Sequence, residues 1–140
     1  MIPGILGPTH ITTSFGEVPA HLVRVRDRLR TRSGNFVPVL RVDAYRLDPE
    51  FLDGHPDARP VKVIQGSLGH NMPDKDAWYS PQQMILSATS GETHRLVPAC
   101  EATNSIKATT PPAGDLAYYV FHLGQAALVR SEGMWISLGE

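Results

Sequence analysis

The sequence predicts one mainly β domain built from short strands. Twelve prolines and twelve glycines are scattered along its 140 residues, which interrupts long helices and favours strands joined by turns. Several segments alternate apolar and polar residues, as strands with one buried face do. No internal repeat or low-complexity tract divides the chain, so we predict a single domain over residues 1–140.

The first third of the chain predicts three short strands. A turn is expected at 15–17, and one helical turn at 18–22, where Pro19 suits the first turn of a helix. Ser33-Gly34-Asn35 has the composition of a tight turn and separates the second strand from the third. The strands are predicted at 10–13, 28–31 and 36–42.

The middle of the chain predicts a short helix, a strand and a polar loop. The helix is expected at 49–52, with Asp48 as its N-cap and Gly54 beyond its end. The alternating residues 60–64 predict a strand that ends before a turn-rich loop. The tetrad Ser80-Pro81-Gln82-Gln83 then separates Trp78-Tyr79 from an apolar strand, and we expect the functional site there.

The last third predicts further strands and one long loop. Residues 103–114, with two prolines and several threonines, predict a mobile loop. The strands are expected at 84–88, 94–98, 117–123 and 126–130. Strands therefore outnumber helices throughout the chain.

Charge and composition exclude several classes of function. Thirteen basic and fourteen acidic residues nearly cancel, which argues against non-specific nucleic-acid binding. Five arginines between Arg24 and Arg32 alternate with apolar residues, which favours the solvated face of an amphipathic segment over a phosphate site. Without a membrane-length apolar run or a signal peptide, we expect a soluble chain, cytoplasmic by default.

No metal or cofactor site is predicted. The single cysteine, Cys100, forms neither an internal disulfide nor a thiolate metal site on its own. The histidines lack recognised ligand spacing, and we expect His122, between two apolar residues, to be buried and hydrogen-bonded. The six histidines are His10, His21, His55, His70, His94 and His122.

Three groups of residues carry a resemblance to a known family. The first is residues 11–19, which include Gly16-Glu17-Val18-Pro19, followed by residues 25–29. The others are residues 60–69 with 78–82, and residues 118–122 running on to 128–133; residues 96–99 also fit. Together they resemble the bacterial branch of the Hint family, the fold shared by Hedgehog autoprocessing domains and inteins.

The resemblance implies a horseshoe-like all-β domain whose two ends lie close together. In this family, a cysteine at the first residue attacks the preceding carbonyl and converts the amide into a thioester. A histidine in a T/S-x-x-H pattern polarises the scissile amide and protonates the leaving nitrogen. A further histidine late in the domain assists in many members.

The sequence departs from the family at all three positions. Gly4 stands where the nucleophile is expected, and Ala126 where the late histidine is expected. The S-x-x-H tetrad begins with Ser80 but ends with Gln83, whose amide does not shuttle a proton near neutral pH. Only three residues precede Gly4, and the chain ends in Gly139-Glu140 rather than His-Asn, so we expect no passenger to be released.

Other residues offer weaker routes to acyl chemistry. Ser80 would need a neighbouring base, and Gln82 and Gln83 cannot act as one. Thr9 and His10 are adjacent, and neighbouring residues on a strand point to opposite faces. Cys100 lies in a different segment and does not restore the nucleophile.

These observations predict a degenerate Hint domain that acts through another protein or through copies of itself. Trp78, Tyr79 and Trp135 are the candidate binding residues; core packing explains most large aromatics, whereas Trp135 packs either on the domain or on a partner. One alternative is an autoprocessing domain that uses Thr9, His10 or Ser80. Another is a structural subunit of a larger assembly.

Overall fold

A computed structural model describes residues 2–87, 94–102, 106–107, 114 and 116–139. These residues form fourteen strands, one short helix, α1 (Pro49–Gly54), and three single 3-10 turns. The strands are β1 (Ile5–Leu6), β2 (His10–Thr13), β3 (Gly16–Pro19), β4 (Arg28–Arg30), β5 (Phe36–Pro38), β6 (Arg41–Arg46), β7 (Val61–Val63), β8 (Ala77–Tyr79), β9 (Met84–Ser87), β10 (Arg95–Pro98), β11 (Ile106–Lys107), β12 (Ala117–His122), β13 (Ala127–Ser131) and β14 (Met134–Leu138). The mainly β prediction is confirmed.

A six-stranded antiparallel sheet places the N-terminal segment at the centre of the domain. Its strand order is β11-β7-β8-β1-β12-β6. Ile5 pairs with Tyr79 on one side and with Tyr119 on the other, so β1 lies between two longer-range partners. The residue before β1, Gly4, is therefore enclosed by β12 and by the tetrad that follows β8.

Two four-stranded sheets complete the domain. One has the order β10-β9-β14-β13 and pairs Ile136 of β14 with Ile85 of β9. This pairing brings the end of the chain beside Gln83, which directly precedes β9. The other has the order β3-β2-β4-β5, and a single bridge from Thr31 to Val129 connects it to β13.

Apolar side chains from all three sheets form one main core. Its fully buried members include Tyr79, Phe121 and Ile136. A smaller cluster of Leu6, Leu47 and Tyr118 packs under α1, whose apolar residues cover it. Burial of these side chains supplies the main favourable free energy of folding.

The hairpin between β2 and β3 is tighter than the predicted turn. The strand at His10–Thr13 is confirmed, but β3 already begins at Gly16. The Thr13 hydroxyl closes the turn because it accepts the Phe15 N–H at 3.1 Å and donates to the Gly16 carbonyl at 2.9 Å. The helical turn predicted at 18–22 is accordingly shorter, Ala20–Leu22.

The strand predicted at 36–42 is divided: β5 ends at Pro38, and β6 begins at Arg41 in another sheet and extends beyond the predicted end. Strand β6 runs from Arg41 to Arg46 because every residue pairs with β12. The local sequence of Asp43 and Arg46 favours no strand, so pairing with a distant segment decides the conformation. The C-terminal residues Met134–Leu138 likewise form a strand, which was not predicted.

Part of the predicted loop at 103–114 lies outside the described residues. Within it, Ile106–Lys107 forms β11, which pairs with β7. The predicted end of the strand at 84–88 also lies outside them, and β9 is described to Ser87. No helix in the described part of the chain is long and apolar enough to cross a membrane.

Candidate functional site

Gly4 occupies a position that leaves no room for a side chain. Its carbonyl accepts the Ser80 N–H at 3.0 Å, which holds the segment before β1 against the tetrad. Its φ is +149°, and an added Cβ would lie 2.8 Å from Tyr118 Cβ and 3.3 Å from the Tyr119 carbonyl. A cysteine at this position therefore requires movement of the backbone or of β12.

The Ser80 hydroxyl is engaged by backbone groups. Ser80 is 2% exposed; its Oγ donates to the Ile2 carbonyl and accepts the Gln82 N–H at 3.3 Å. The Gln83 N–H donates to the Ser80 carbonyl at 3.0 Å, which closes the tetrad as a turn. The hydroxyl thus ties the turn to the N-terminal segment.

Gln83 connects the tetrad to the C-terminal strand. Its side chain is buried, and Nε2 donates to the Ser137 carbonyl at 2.7 Å and to the Met84 carbonyl at 3.1 Å. A neutral amide meets these two acceptors without the desolvation cost of a charged group. The position of the expected general acid therefore holds a structural donor.

A cavity of about 370 Å³ lies where these segments meet. The described residues that line it contribute amides, one hydroxyl and apolar groups, but no carboxylate, imidazole, amine or thiol. Pro3, whose carbonyl precedes Gly4, and Gln83 both face it. The lining residues are Pro3, Gln82, Gln83, Met84, Val120, Ser137, Leu138 and Gly139.

Ala126 and Cys100 lie outside this cavity lining. Ala126 is exposed in the turn before β13 and lines a separate hollow with Arg32 and Asn35. Cys100 is also exposed, although its backbone N–H donates to the Pro81 carbonyl at 3.0 Å. The structure therefore brings Gly4, Ser80 and Gln83 together and leaves Ala126 apart.

Thr9 and His10 do not form a catalytic pair. The Thr9 hydroxyl is buried, donates to the Trp78 carbonyl and accepts the Trp78 N–H, both at 3.1 Å. His10 instead contacts Glu132, with Nδ1 3.4 Å from the carboxylate. The Thr9 side chain bonds to β8 and the His10 side chain to the turn after β13, so they do not contact a common group.

A polar network that the sequence analysis missed lies beneath His10. The Ser131 hydroxyl donates to the His10 carbonyl at 2.6 Å and lies 2.8 Å from the Tyr79 hydroxyl. Glu132 is 7% exposed; burial raises the pKa of its carboxyl, and the His10 N–H and ring oppose this shift. Burial also raises the pKa of Tyr79 well above its ordinary value.

The turn that carries Glu132 has a local signal in the sequence. Glu132 and Gly133 form the two-residue loop between β13 and β14, with φ of +49° and +77°. Two consecutive positive φ angles are typical of the tight turns that join hairpin strands. The hairpin was not predicted, and Gly133 is its local sequence signal; the partners of the Glu132 carboxylate have no such signal.

His122 and Asp43 form a second missed pair. Nε2 of His122 lies 2.8 Å from the Asp43 carboxylate, and Arg41 binds the same carboxylate through two nitrogens at 2.8 and 3.1 Å. Arg41 and then His122 hold the pKa of Asp43 below its usual value. His122 is hydrogen-bonded, but its side chain is 28% exposed, so the expectation of burial was wrong.

The aromatic candidates differ in accessibility. Tyr79 is fully buried, so its assignment as a binding residue is wrong: the fold leaves it no surface for a partner. Trp78 and Trp135 are half-buried, and Lys62 Nζ lies 5.8 Å from the Trp78 ring centroid. Among the described residues, no group of three or more potential ligands is placed to hold a metal ion.

The fold is similar to that of inteins of known structure. The MchDnaB-1 intein aligns with a TM-score of 0.58 and 12% identity over 96% of this chain and 99% of its own. The gp41-1 intein aligns over the full length of both chains with a TM-score of 0.54 and 9% identity. A splice-inactive variant of the AceL NrdHF class 3 split intein aligns over 97% of each chain with a TM-score of 0.51 and 16% identity.

The sequence itself matches a family model. No curated protein is similar enough to be matched with the chain. The model for the Hint domain matches residues 3–137, a range that begins one residue before Gly4 and ends within β14. This range includes the tetrad and, of the residues that line the cavity, all except Leu138 and Gly139. The chain belongs to the Hint domain family.

Proposed function

We propose that this protein is a catalytically inactive Hint domain that acts as a protein-binding or assembly module. The observation that carries the proposal is the closed packing around Gly4, where an added Cβ would lie 2.8 Å from Tyr118 Cβ. Thioester formation needs a nucleophile at this point. Glycine supplies none, and its surroundings admit no substitute.

The general acid position supports the same conclusion. Proton transfer to a leaving nitrogen needs a group that titrates near the working pH. Gln83 has no such proton, and its Nε2 is bonded to the Ser137 and Met84 carbonyls. Both chemical requirements are therefore unmet, while the strands that surround the site are retained.

A reporter fusion tests this proposal. A small reporter protein is joined upstream of Gly4, and the fusion is incubated with dithiothreitol or hydroxylamine, which release thioesters and esters. We expect an intact fusion by mass spectrometry, while an active intein carrying the same reporter releases it. Thiol-dependent release from the wild-type fusion would overturn the proposal.

Autoprocessing through non-standard residues is the second candidate. The intein-like fold favours it, and so does the hydrogen bond from the Ser80 hydroxyl to the Ile2 carbonyl. This carbonyl is one residue before the Pro3 carbonyl, which directly precedes Gly4. This candidate predicts slow truncation of the chain, which intact mass measures over days. It also predicts that Ser80→Ala, Thr9→Val or His10→Gln stops the truncation; an unchanged mass would exclude it.

A further inference from the structure

The positive and negative charges of the chain are segregated. Residues 24–46 contain seven arginines and only two acidic residues, Asp27 and Asp43. The rest of the chain contains six basic and twelve acidic residues. The near-neutral total therefore conceals one strongly basic segment, and such a segment attracts acidic partners.

A compact turn presents part of this segment to solvent. The Asp27 N–H donates to the Arg24 carbonyl at 3.0 Å, and the Asp27 carboxylate accepts the Arg24 N–H at 2.9 Å. Two backbone hydrogen bonds attach the turn to the residues before β6. The Arg26 N–H donates to the Val39 carbonyl, and the Val39 N–H donates to the Asp27 carbonyl, both at 2.8 Å. The turn and Leu40 therefore lie side by side.

Aliphatic side chains are exposed on and around this turn. Leu22 is 56% exposed, Val25 51% and Leu40 59%, whereas Val23 and Val39 beneath them are buried. We call Leu22, Arg24, Val25, Arg26 and Leu40 the arginine patch. Arginine next to exposed aliphatic surface is a composition found in protein interfaces.

The arginines of the patch have no acidic partner in the described part of the chain. No ion pair there involves Arg24 or Arg26. The two nearby carboxylates are engaged, since Asp27 accepts the Arg24 backbone N–H, and Asp43 binds Arg41 and His122. The guanidinium groups are therefore available to an external carboxylate.

Arg26 adopts a left-handed conformation with φ of +81°. A residue with a Cβ is disfavoured there, and glycine would be more stable. An arginine at such a position fits a role for its side chain outside the fold.

We propose that the arginine patch binds an acidic segment of another protein that carries aliphatic side chains. This inference rests on the proposed function and specifies its partner surface. Carboxylates of the segment pair with Arg24 and Arg26, and its aliphatic side chains cover Leu22, Val25 and Leu40. A nucleic acid fits less well, because single-stranded bases stack on aromatic rings and the patch has none.

Fluorescence anisotropy with defined probes tests the inference. The main probe is a fluorescein-labelled peptide of alternating glutamate and leucine; the comparison probes are polyglutamate, a lysine–leucine peptide and oligothymidine. We expect the glutamate–leucine peptide to bind most tightly. Its affinity should fall with added salt, since the screening length is about 10 Å at 0.1 M.

Four variants locate the binding. Arg24→Glu with Arg26→Glu should lower the affinity about tenfold or more, and Leu40→Ser should lower it less. Arg95→Glu, an exposed arginine on β10, is the control for charge and should leave binding unchanged. Arg26→Gly should weaken binding without lowering the melting temperature, which separates lost contact from lost folding.

Each other outcome overturns the inference. Absence of peptide binding would overturn it, and so would an equal loss of affinity in Arg95→Glu. Tighter binding of oligothymidine than of the peptide would also overturn it, as would salt-sensitive self-association that Arg24→Glu abolishes. These results leave the reporter fusion untouched: an intact fusion without peptide binding overturns this inference alone. Reporter release would overturn the proposed function while the peptide result stood.

Discussion

Two polar regions of the domain have opposite compositions. The cavity lined by Pro3 and Gln83 contains only neutral groups, and the buried Gln83 amide donates to two backbone carbonyls. The network around Glu132 holds a carboxylate, an imidazole and two hydroxyls within hydrogen-bonding distance of one another or of backbone. The titratable groups of this network connect distant segments of the chain and lie outside the cavity lining.

The difference between the two regions shows that the strands that form a site and the side chains placed in it are independent of each other. Strand pairing brings Pro3, the two glutamines of the tetrad and the C-terminal end of β14 to one cavity. Function depends on the groups placed in such a site rather than on the fold that supports it. The following substitutions test whether the cavity is closed and whether the network is structural.

Gly4→Cys should have the largest effect. The added side chain meets Tyr118 and forces a residue with a Cβ to adopt φ of +149°, so we expect a loss of about 3 kcal/mol in the free energy of unfolding. Urea denaturation measures it. Gly139→Ala, with no atom within 4 Å of the added Cβ, is the control and should be neutral. Equal stability of Gly4→Cys and wild type would show that the packing around Gly4 leaves room for a side chain.

Gln83→Met should cause the second-largest loss of stability. Methionine has a similar volume but donates no hydrogen bond, so the Ser137 and Met84 carbonyls lose their side-chain donor at a cost of about 2 kcal/mol. Chemical denaturation compares it with Gln125→Met, which changes an exposed glutamine in the turn before β13. Equal stability of the two variants would contradict the structural role of Gln83.

Ser131→Ala should cost about 1.5 kcal/mol, because it removes the hydroxyl between Tyr79 and the His10 carbonyl. Tyr79→Phe removes the same hydrogen bond from the other side. The double variant should therefore lose less stability than the sum of the single changes. Additive losses would show that the two hydroxyls do not act as one unit.

Glu132→Gln should have the smallest effect, seen as a change in pH dependence. Because burial raises the folded-state pKa of Glu132, its contribution to stability is present below the unfolded carboxyl pKa and is lost as pH rises through the raised value. Wild type should therefore lose stability relative to Glu132→Gln across this window. The melting temperatures of the two proteins are measured as a function of pH. A difference between them that stays constant with pH would contradict the raised pKa of Glu132.

Local patterns predicted several short elements. The strand His10–Thr13 depends on neighbouring residues and is confirmed, whereas the assignment of Gly4 and Gln83 to reactive positions rests on their spacing from short motifs and stays a prediction. Long-range pairing was not predictable. His10 and Glu132 are 122 residues apart, and Asp43 and His122 are 79 apart, so no local signal connects either pair.

The arginine patch illustrates the same limit. The sequence showed five closely spaced arginines and favoured a solvated face, but alternation alone does not show which side chains remain unpaired. The turn held by Val39 and the exposure of Leu40 come from contacts between distant segments. Only the folded chain therefore distinguishes a solvated face from a surface available to a partner.

The most direct test introduces a thiol at Gly4 and an imidazole at Gln83 at once. A reporter fusion carrying Gly4→Cys and Gln83→His is incubated with hydroxylamine, and the released reporter is quantified by mass spectrometry, with circular dichroism as the check on folding. If the packing around Gly4 has closed the site, the folded double variant stays intact. Release of the reporter at the rate of an active intein would contradict that account, because the packing around Gly4 would then leave enough room for the reaction.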